Sequence, residues 1–335
     1  VASQSGIERF GDKIKKAYDG TGCEVLFEKF GGECTKKEAK RIAQIVMDKG
    51  CDAVVGLGGG KVMDAAKGVA YEAGGVTTII IPTVAASDAP TSALSVYYDE
   101  DGVLDEVVIF NKNPEVVLVD TKVIAEAPTR LFVAGMGDAL ATYFEARGCI
   151  EGYKENFVGG VFTQSSTALA ELCYKLLLEN GALAIEAVNA NKCTKAVENI
   201  IEANTLLSGL GFESNGVTGA HSVYYGFTVL PEHLQMYHGE FVAFGTIVLL
   251  VLENRSKAEL EEVIQFCVSV GLPVCFDDLR LGDLTPEKLD RVAAKALAPV
   301  ETIHNEPFDI SKDELIGALM TADALGRAFK KDLCK

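Results

Sequence analysis

No two of the nine cysteines form a CxxC pair, and their number is odd. A secreted disulfide scaffold and a structural zinc ribbon are therefore disfavoured, and a reducing, cytoplasmic compartment is expected. The first residues do not read as a secretory or transit signal. No apolar run is long enough to cross a bilayer: the longest, FVAFGTIVLLVL at 241–252, falls short of the ~20 residues a spanning helix needs. Positive charge is in deficit, with 31 basic residues against 48 acidic ones and a net charge of -17. Such a surface repels phosphate backbones and anionic lipid, so neither a nucleic-acid nor a membrane partner is expected. Histidine is scarce, with four in the chain.

What is present is a chain of 335 residues, 48% of them hydrophobic, enough to bury a sizeable core. That length fits roughly two domains. The first part alternates strands and helices. The spacing predicts a helix over 7–18, a strand over CEVLFEKF at 23–30, a helix over 38–49 and a buried strand over 53–57. A helix over 62–70, a strand over 78–81, a hairpin of 92–98 and 103–110 around the turn 99–102, and a strand over 115–120 complete it. This is the pattern of an α/β domain with a mostly parallel sheet. After Pro128 strand signals almost vanish, and amphipathic stretches follow at 129–147, 160–180, 193–208, 240–253, 257–270, 286–299 and 312–330. The expected domains are 1–127, α/β, and 128–335, all-α.

Gly58-Gly59-Gly60-Lys61 lies between an expected strand and an expected helix. Glycines let a ligand approach the backbone, and a helix N-terminus offers free N–H groups to an anion. Lys61 opposes the helix dipole there, at a cost of some tenths of a kcal/mol unless an anion is near, which favours a bound pyrophosphate. Asp64 reads equally as a ligand or as a helix acid paired with Lys67. The spacing is neither a Walker loop nor GxGxxG.

In the helical part, Asp138 sits among apolar and small neighbours. A carboxylate buried there needs a partner or a metal; the alternative is a partly exposed helical acid. His221 and His238 each stand beside glycines and ahead of an apolar segment. One aspartate with two histidines is a three-ligand set of the kind that leaves a position open for water or substrate. His233 competes with His238 for that role, and His304 reads as a surface residue or a supporting one.

The segments GGGKVMDAAK (58–67), IPTVAASDAPTSALSVYY (81–98), GMGDALATYFEARG (135–148), ANTLLSGLGFES (203–214), GAHSVYYGF (219–227) and YHGEFVAFGT (237–246) together resemble the glycerol dehydrogenase branch of the iron-containing (type III) alcohol dehydrogenase family. The resemblance runs from about residue 23 to the C-terminus. It implies the dehydroquinate synthase-like fold, with a dinucleotide-binding α/β domain and an all-α domain. It implies NAD-linked, metal-dependent oxidation of glycerol and 1,2-diols, usually on zinc, with iron or manganese also compatible with the donors. The family's metal ligands match Asp138, His221 and His238. Its pyrophosphate turn matches Gly59, Gly60, Lys61 and Asp64, and its nicotinamide-side contacts match Thr83, Ser92, Leu94 and Tyr98. Its substrate carboxylate matches Asp88, and Phe212 falls at an aromatic wall of the substrate pocket. Read as residues alone, Leu94 and Tyr98 also suit sheet core, Phe212 helix core, and Thr83 and Ser92 a turn. The family implies a homo-oligomer, an octamer or a smaller even assembly.

The sequence departs from the family at Ala86, where a hydroxylic residue is common. It also carries no counterpart to the family's first strands and the acidic residue for the adenosine ribose. The expectation is that the adenosine end is held differently, or by residues that precede Val1. Two other functions compete with this one. A dehydroquinate-synthase-like lyase, like a glycerol-1-phosphate dehydrogenase, needs basic residues to grip a phosphate, and the segment 212–240 contains no Lys or Arg. A non-catalytic nucleotide-binding or assembly protein would show no turnover. Another polyol or hydroxyketone oxidoreductase of the same family is the nearest alternative.

Overall fold

The structure, a computed structural model, describes residues 1–100, 102, 104–282 and 284–333. The chain divides into two units: Val1–Ala85 with Ala89–Ile124, and Ala86–Asp88 with Ala125–Lys335. None of the described helices is long and apolar enough to cross a membrane.

The first unit runs α1 (Gln4–Tyr18), α2 (Lys36–Lys49), β1 (Ala53–Gly58), α3 (Gly60–Glu72), β2 (Thr77–Pro82), β3 (Leu94–Tyr98), β4 (Leu104–Ile109) and β5 (Val116–Val117), and a short α4 (Thr121–Ala125) follows. Local chemistry sets the helix ends. Ser3 and Thr35 accept from Gly6 N and Glu38 N at the starts of α1 and α2, and Gly50, at φ 62°, ends α2 in the left-handed region. The apolar stripe Ala39, Ile42, Ala43 and Val46 of α2 is buried in a core shared with Met63, Ala66 and Val69 of α3. Gly56 lets α3 lie close on β1, since a Cβ there would stand 2.6 Å from Ala66 Cβ.

β1, β2 and β5 form a parallel sheet in that order, with Val55 opposite Ile79 and Ile79 opposite Val116. β3 and β4 are not part of it: they pair antiparallel with each other, Leu94 opposite Ile109, as the expected hairpin. That hairpin's expected turn and second strand include Asp101 and Val103, which lie outside the described residues. The strand expected over 23–30 is a correction. Only Lys29 bridges to another chain segment there, to Ala2, so alternation has no neighbouring ladder to pair with among the described residues.

The second unit has no strand among its described residues. It runs α5 (Thr129–Glu151), α6 (Gln164–Asn189), α7 (Lys195–Glu202), a π-helical turn Ala203–Leu207, α8 (Ser208–Asn215), α9 (Gly219–Phe227), a 3₁₀ turn Pro231–Gln235, α10 (His238–Leu252), α11 (Lys257–Val270), α12 (Pro286–Ala296), a second 3₁₀ turn Thr302–Asn305 and α13 (Lys312–Leu333). The single amphipathic stretch expected at 193–208 is α7, the π turn and the first residue of α8. α9 is not among the expected stretches: Ala220, Val223 and Phe227 recur at i, i+3 and i+7 on its buried side, but over nine residues interrupted by glycine the stripe is short.

α10 organises this unit. Every residue from Gly239 to Leu250 is buried, as expected for a helix apolar on all sides. Burying side chains such as Phe241, Phe244 and Ile247 contributes about 1.5–3 kcal/mol each. Glycines bring the neighbouring helices against its backbone. A Cβ at Gly239 would stand 1.9 Å from Ala134 O, and one at Gly137 2.2 Å from Gly239 O, so α5 and α10 cross backbone to backbone. A Cβ at Gly245 would meet Ala220 O at 2.4 Å, which sets α9 equally close. Arg130 at the start of α5 ties to Glu240 at the start of α10, Nε to Oε1 at 2.7 Å.

Gly239→Ala should push α5 and α10 apart and lower stability by about 1–3 kcal/mol or more, the cost of overpacking a close-packed contact. Urea unfolding checks this, and an unchanged midpoint would show that the crossing tolerates a side chain.

Candidate metal centre and cofactor turn

The crossing that needs Gly137 and Gly239 places the next residue of α5, Asp138, near the residue before Gly239, His238. Likewise Ala220, packed under Gly245, is followed by His221. One ligand atom from each of Asp138, His221 and His238 lies within 4.8 Å of the others. His238 Nε2 stands 3.1 Å from Asp138 Oδ1 and His221 Nε2 stands 3.5 Å from the same oxygen. Asp138 is buried, and its Oδ1 makes no hydrogen bond, although its Oδ2 accepts from Asp88 N at 3.3 Å. A buried carboxylate oxygen left bare between two imidazole nitrogens fits a divalent cation, because a cation satisfies all three at once. The donors, one oxygen and two nitrogens, suit zinc, and also iron or manganese.

Asp138, Thr142 and Glu145 lie at i, i+4 and i+7 on α5, one buried face of the helix. Glu145 was not singled out from the sequence, yet it orients His221. Its Oε2 stands 2.5 Å from His221 Nδ1, and its Oε1 accepts from the backbone N–H of Thr218 at 3.0 Å and of His221 at 3.1 Å. With Nδ1 engaged by the carboxylate, Nε2 is the nitrogen turned to Asp138, the arrangement of carboxylate–histidine–metal sites. A signal existed in sequence: a charged residue seven positions past Asp138 in an otherwise apolar segment.

Electrostatics follow this geometry. Burial alone lowers the pKa of His221, but the charges of Glu145 and Asp138 and the hydrogen bond to Glu145 outweigh it and hold it well above the ordinary value. Burial raises the Asp138 carboxyl, yet the charges of His238 and His221 hold it well below the usual carboxylate range. The upward shift of His221 favours the protonated ring, with which a cation at Nε2 competes.

The rival histidines are placed elsewhere. His233 Nδ1 is 2.7 Å from Leu230 O, and His304 Nε2 is 3.2 Å from Ala298 O. Tyr224, one turn from His221 on α9, packs edge-on against His238 at 4.4 Å. Asp88 belongs to the same unit, half-buried, its Oδ2 accepting from Ser208 Oγ at 2.8 Å. Phe212 is buried on α8, edge-on to Phe157 at 5.6 Å.

In the first unit, Gly59 caps α3 without any side-chain hydrogen bond, so the first-turn N–H groups are not taken up by a cap. A Cβ at Gly59 would make only an ordinary contact, 3.4 Å to Val84 Cγ2. Glycine there is thus not demanded by internal packing. Lys61 is ion-paired with Glu33 at 2.5 Å and lies over the Tyr98 ring at 5.5 Å. The expected cost of a cation at the helix start is therefore offset within the unit by Glu33. Asp64 is buried and committed inward: it pairs with Lys67 at 2.9 Å and accepts from Val96 N at 3.2 Å. Lys67 Nζ also donates to Ala89 O at 2.9 Å, and it lies 3.4 Å from the fully buried Ser92 Oγ. Thr83 N donates to Gly58 O at 2.9 Å, beside the turn, while Leu94 and Tyr98 stand half-buried at the two ends of β3.

Comparison with known proteins identifies the family. A family model of iron-containing alcohol dehydrogenase matches residues 1–121. A glycerol dehydrogenase of Citrobacter freundii is 46% identical over 98% of this chain and 90% of its own. A glycolaldehyde reductase of Halobacterium salinarum is 47% identical over 98% of this chain and 90% of its own. The crystal structure of a probable glycerol dehydrogenase from Sinorhizobium meliloti 1021 superposes with a TM-score of 0.92 at 43% identity, covering 98% of this chain and 90% of that one.

Zinc titration of the protein is the direct check on the centre. His238→Ala should abolish tight zinc binding with the fold retained, and His233→Ala should leave it. Glu145→Gln should weaken it about tenfold to a hundredfold. Binding should release a proton near pH 7 and tighten with rising pH, by up to about tenfold per unit. Loss of zinc in His233→Ala but not in His238→Ala would reverse the assignment.

Proposed function

The chain belongs to the glycerol dehydrogenase branch of the iron-containing alcohol dehydrogenases, and from that membership we propose that it oxidises glycerol and related 1,2-diols to hydroxyketones, using NAD and a divalent cation. It is an oxidoreductase. The observation that carries the reading is the bare, buried Oδ1 of Asp138 between the imidazoles of His221 and His238.

In this reading Asp138, His221 and His238 hold the cation, and the N-terminus of α3 with Gly59, Gly60 and Lys61 holds the pyrophosphate of the dinucleotide. When bound, the cation supplies Lewis-acid polarisation of a substrate hydroxyl, and NAD supplies the acceptor for hydride. The chain's own residues do the rest. Glu145 fixes the ring of His221, and Tyr224 backs the ring of His238. Asp138 stays ionised by virtue of its histidine neighbours. Lys61 exchanges Glu33 for a phosphate oxygen. Asp88 accepts a hydrogen bond from a second substrate hydroxyl, and its charge repels anionic substrates. The ion pair of Asp64 with Lys67 supports the 89–92 segment rather than meeting the cofactor.

The test is NADH formation, followed by absorbance, with zinc, NAD and a panel of glycerol, 1,2-propanediol and a simple secondary alcohol. Hydride transfer is reversible, so glycolaldehyde with NADH is run beside it, as the name of the Halobacterium relative suggests. Absence of turnover on every polyol by zinc-loaded protein that binds NAD would refute the reading. Gly59→Val should block NAD binding measured by calorimetry, and Lys61→Ala should weaken it more mildly, because the N–H groups remain. Asp88→Ala should lower kcat/KM on the diols by roughly tenfold to a hundredfold relative to the secondary alcohol, the loss of one charge-assisted hydrogen bond of ~1.5–3 kcal/mol. Equal loss on both substrates would show that Asp88 does not read the second hydroxyl.

A further inference from the structure

A carboxylate that discriminates between substrates has to be held in one orientation, and the Asp88 side chain is short, half-buried and reached by solvent. We propose that two buried hydroxyls, Ser208 and Thr142, are the positioning residues that aim the Asp88 carboxylate, so that they set the preference for diols without touching substrate. The inference rests on the reading of Asp88 given above.

The hydrogen bonds have a definite direction. Ser208 Oγ donates to Asp88 Oδ2 at 2.8 Å and lies 2.9 Å from Thr142 Oγ1. A hydroxyl has one proton to give. Ser208 gives it to the carboxylate, so Thr142 is the donor in the second bond, and the chain runs from Thr142 through Ser208 to Asp88. Each bond polarises the next, which strengthens the one that reaches the charge. Both hydroxyls are fully enclosed, Ser208 at 0% exposure and Thr142 at 2%, so bulk water does not compete for them.

The backbone on both sides is built to bring them together. Thr142 is one turn past Asp138 on the polar face of α5, so the helix that carries a metal ligand also carries the start of this chain. Ser208 opens α8 directly after the π turn Ala203–Leu207, and turns of this kind recur at functional sites because they re-aim the side chains that follow. Asn204 in that turn anchors it to α5 by donating to Phe132 O at 3.2 Å. Thr142 also has a packing role: its methyl lies where a Cβ at Gly211 would come within 2.8 Å of Thr142 Cγ2. That makes the two roles of Thr142 separable, since valine keeps the methyl and serine keeps the hydroxyl.

The experiment measures kcat and KM for glycerol and for a simple secondary alcohol with the zinc-loaded enzyme and NAD, and reads the ratio of their kcat/KM values. Ser208→Ala should lower the diol-to-monol ratio roughly tenfold, mostly through the KM for glycerol, and Thr142→Val roughly threefold. Thr142→Ser should retain the ratio of the wild type. Added to Asp88→Ala, Ser208→Ala should change the ratio no further, because the two act through one group. An unchanged ratio in Ser208→Ala overturns the proposal. So does Thr142→Ser losing as much as Thr142→Val, which would make the methyl packing the cause. If the wild-type enzyme oxidises no polyol at all, the functional reading fails first, visibly and before any variant is made, and this inference falls with it.

Discussion

At Gly239 the backbone of α10 lies so close to Ala134 of α5 that a single added carbon would overlap it. This contact, with its mate at Gly137 and the third at Gly245 against Ala220, governs the helical unit. Ordinary helix pairs are spaced 8–10 Å apart by their side chains. Here the side chains are deleted at the crossing points, and the residues adjoining those points are Asp138, His238 and His221. The close approach is thus the means by which three side chains from three helices come within reach of one cation. Apolar burial along α10 holds the crossing shut, and each flanking residue inherits a fixed position from it.

Bringing a carboxylate and two imidazoles into a buried space creates an electrostatic problem that the same helix answers. α5 presents Asp138, Thr142 and Glu145 on one face at helical spacing. The first is the proposed ligand, the second starts the hydroxyl chain toward Asp88, and the third compensates His221. A lone buried charge would cost several kcal/mol, and each of these groups is instead met by a donor or a countercharge, except the one oxygen of Asp138. That exception carries chemical meaning because the oxygen stands between two imidazole nitrogens.

Much of this was legible in the sequence, for physical reasons that differ by residue. The parallel strands read clearly because β1 and β2 are short apolar runs punctuated by glycine or proline. Asp138, His221 and His238, which the fold brings together, stand out in the sequence because histidine is scarce and Asp138 lies among apolar neighbours. The segment 23–30 alternated like a strand, but alternation reports only a two-sided environment, and pairing depends on partners remote in sequence. Lys61 shows the converse: it looks anomalous at a helix start, and Glu33, remote in sequence, balances it, whereas the Asp64–Lys67 pair, three residues apart, is one of the two readings that the local pattern offers. Glu145 and Ser208 escaped notice because their roles come from the rotation of a wholly buried helix and from a π turn. Neither leaves an amphipathic signature. The glycines of α10 carry no signal of their own within an apolar run, whereas they admit another backbone.

The central claim is that α5, α9 and α10 deliver one carboxylate and two imidazoles to a single cation. X-ray absorption at the zinc edge of the zinc-loaded protein tests it most directly. The account predicts a first shell of nitrogen and oxygen only, with outer-shell scattering from two imidazole rings. A sulfur shell at ~2.3 Å, or scattering from one ring alone, would contradict it.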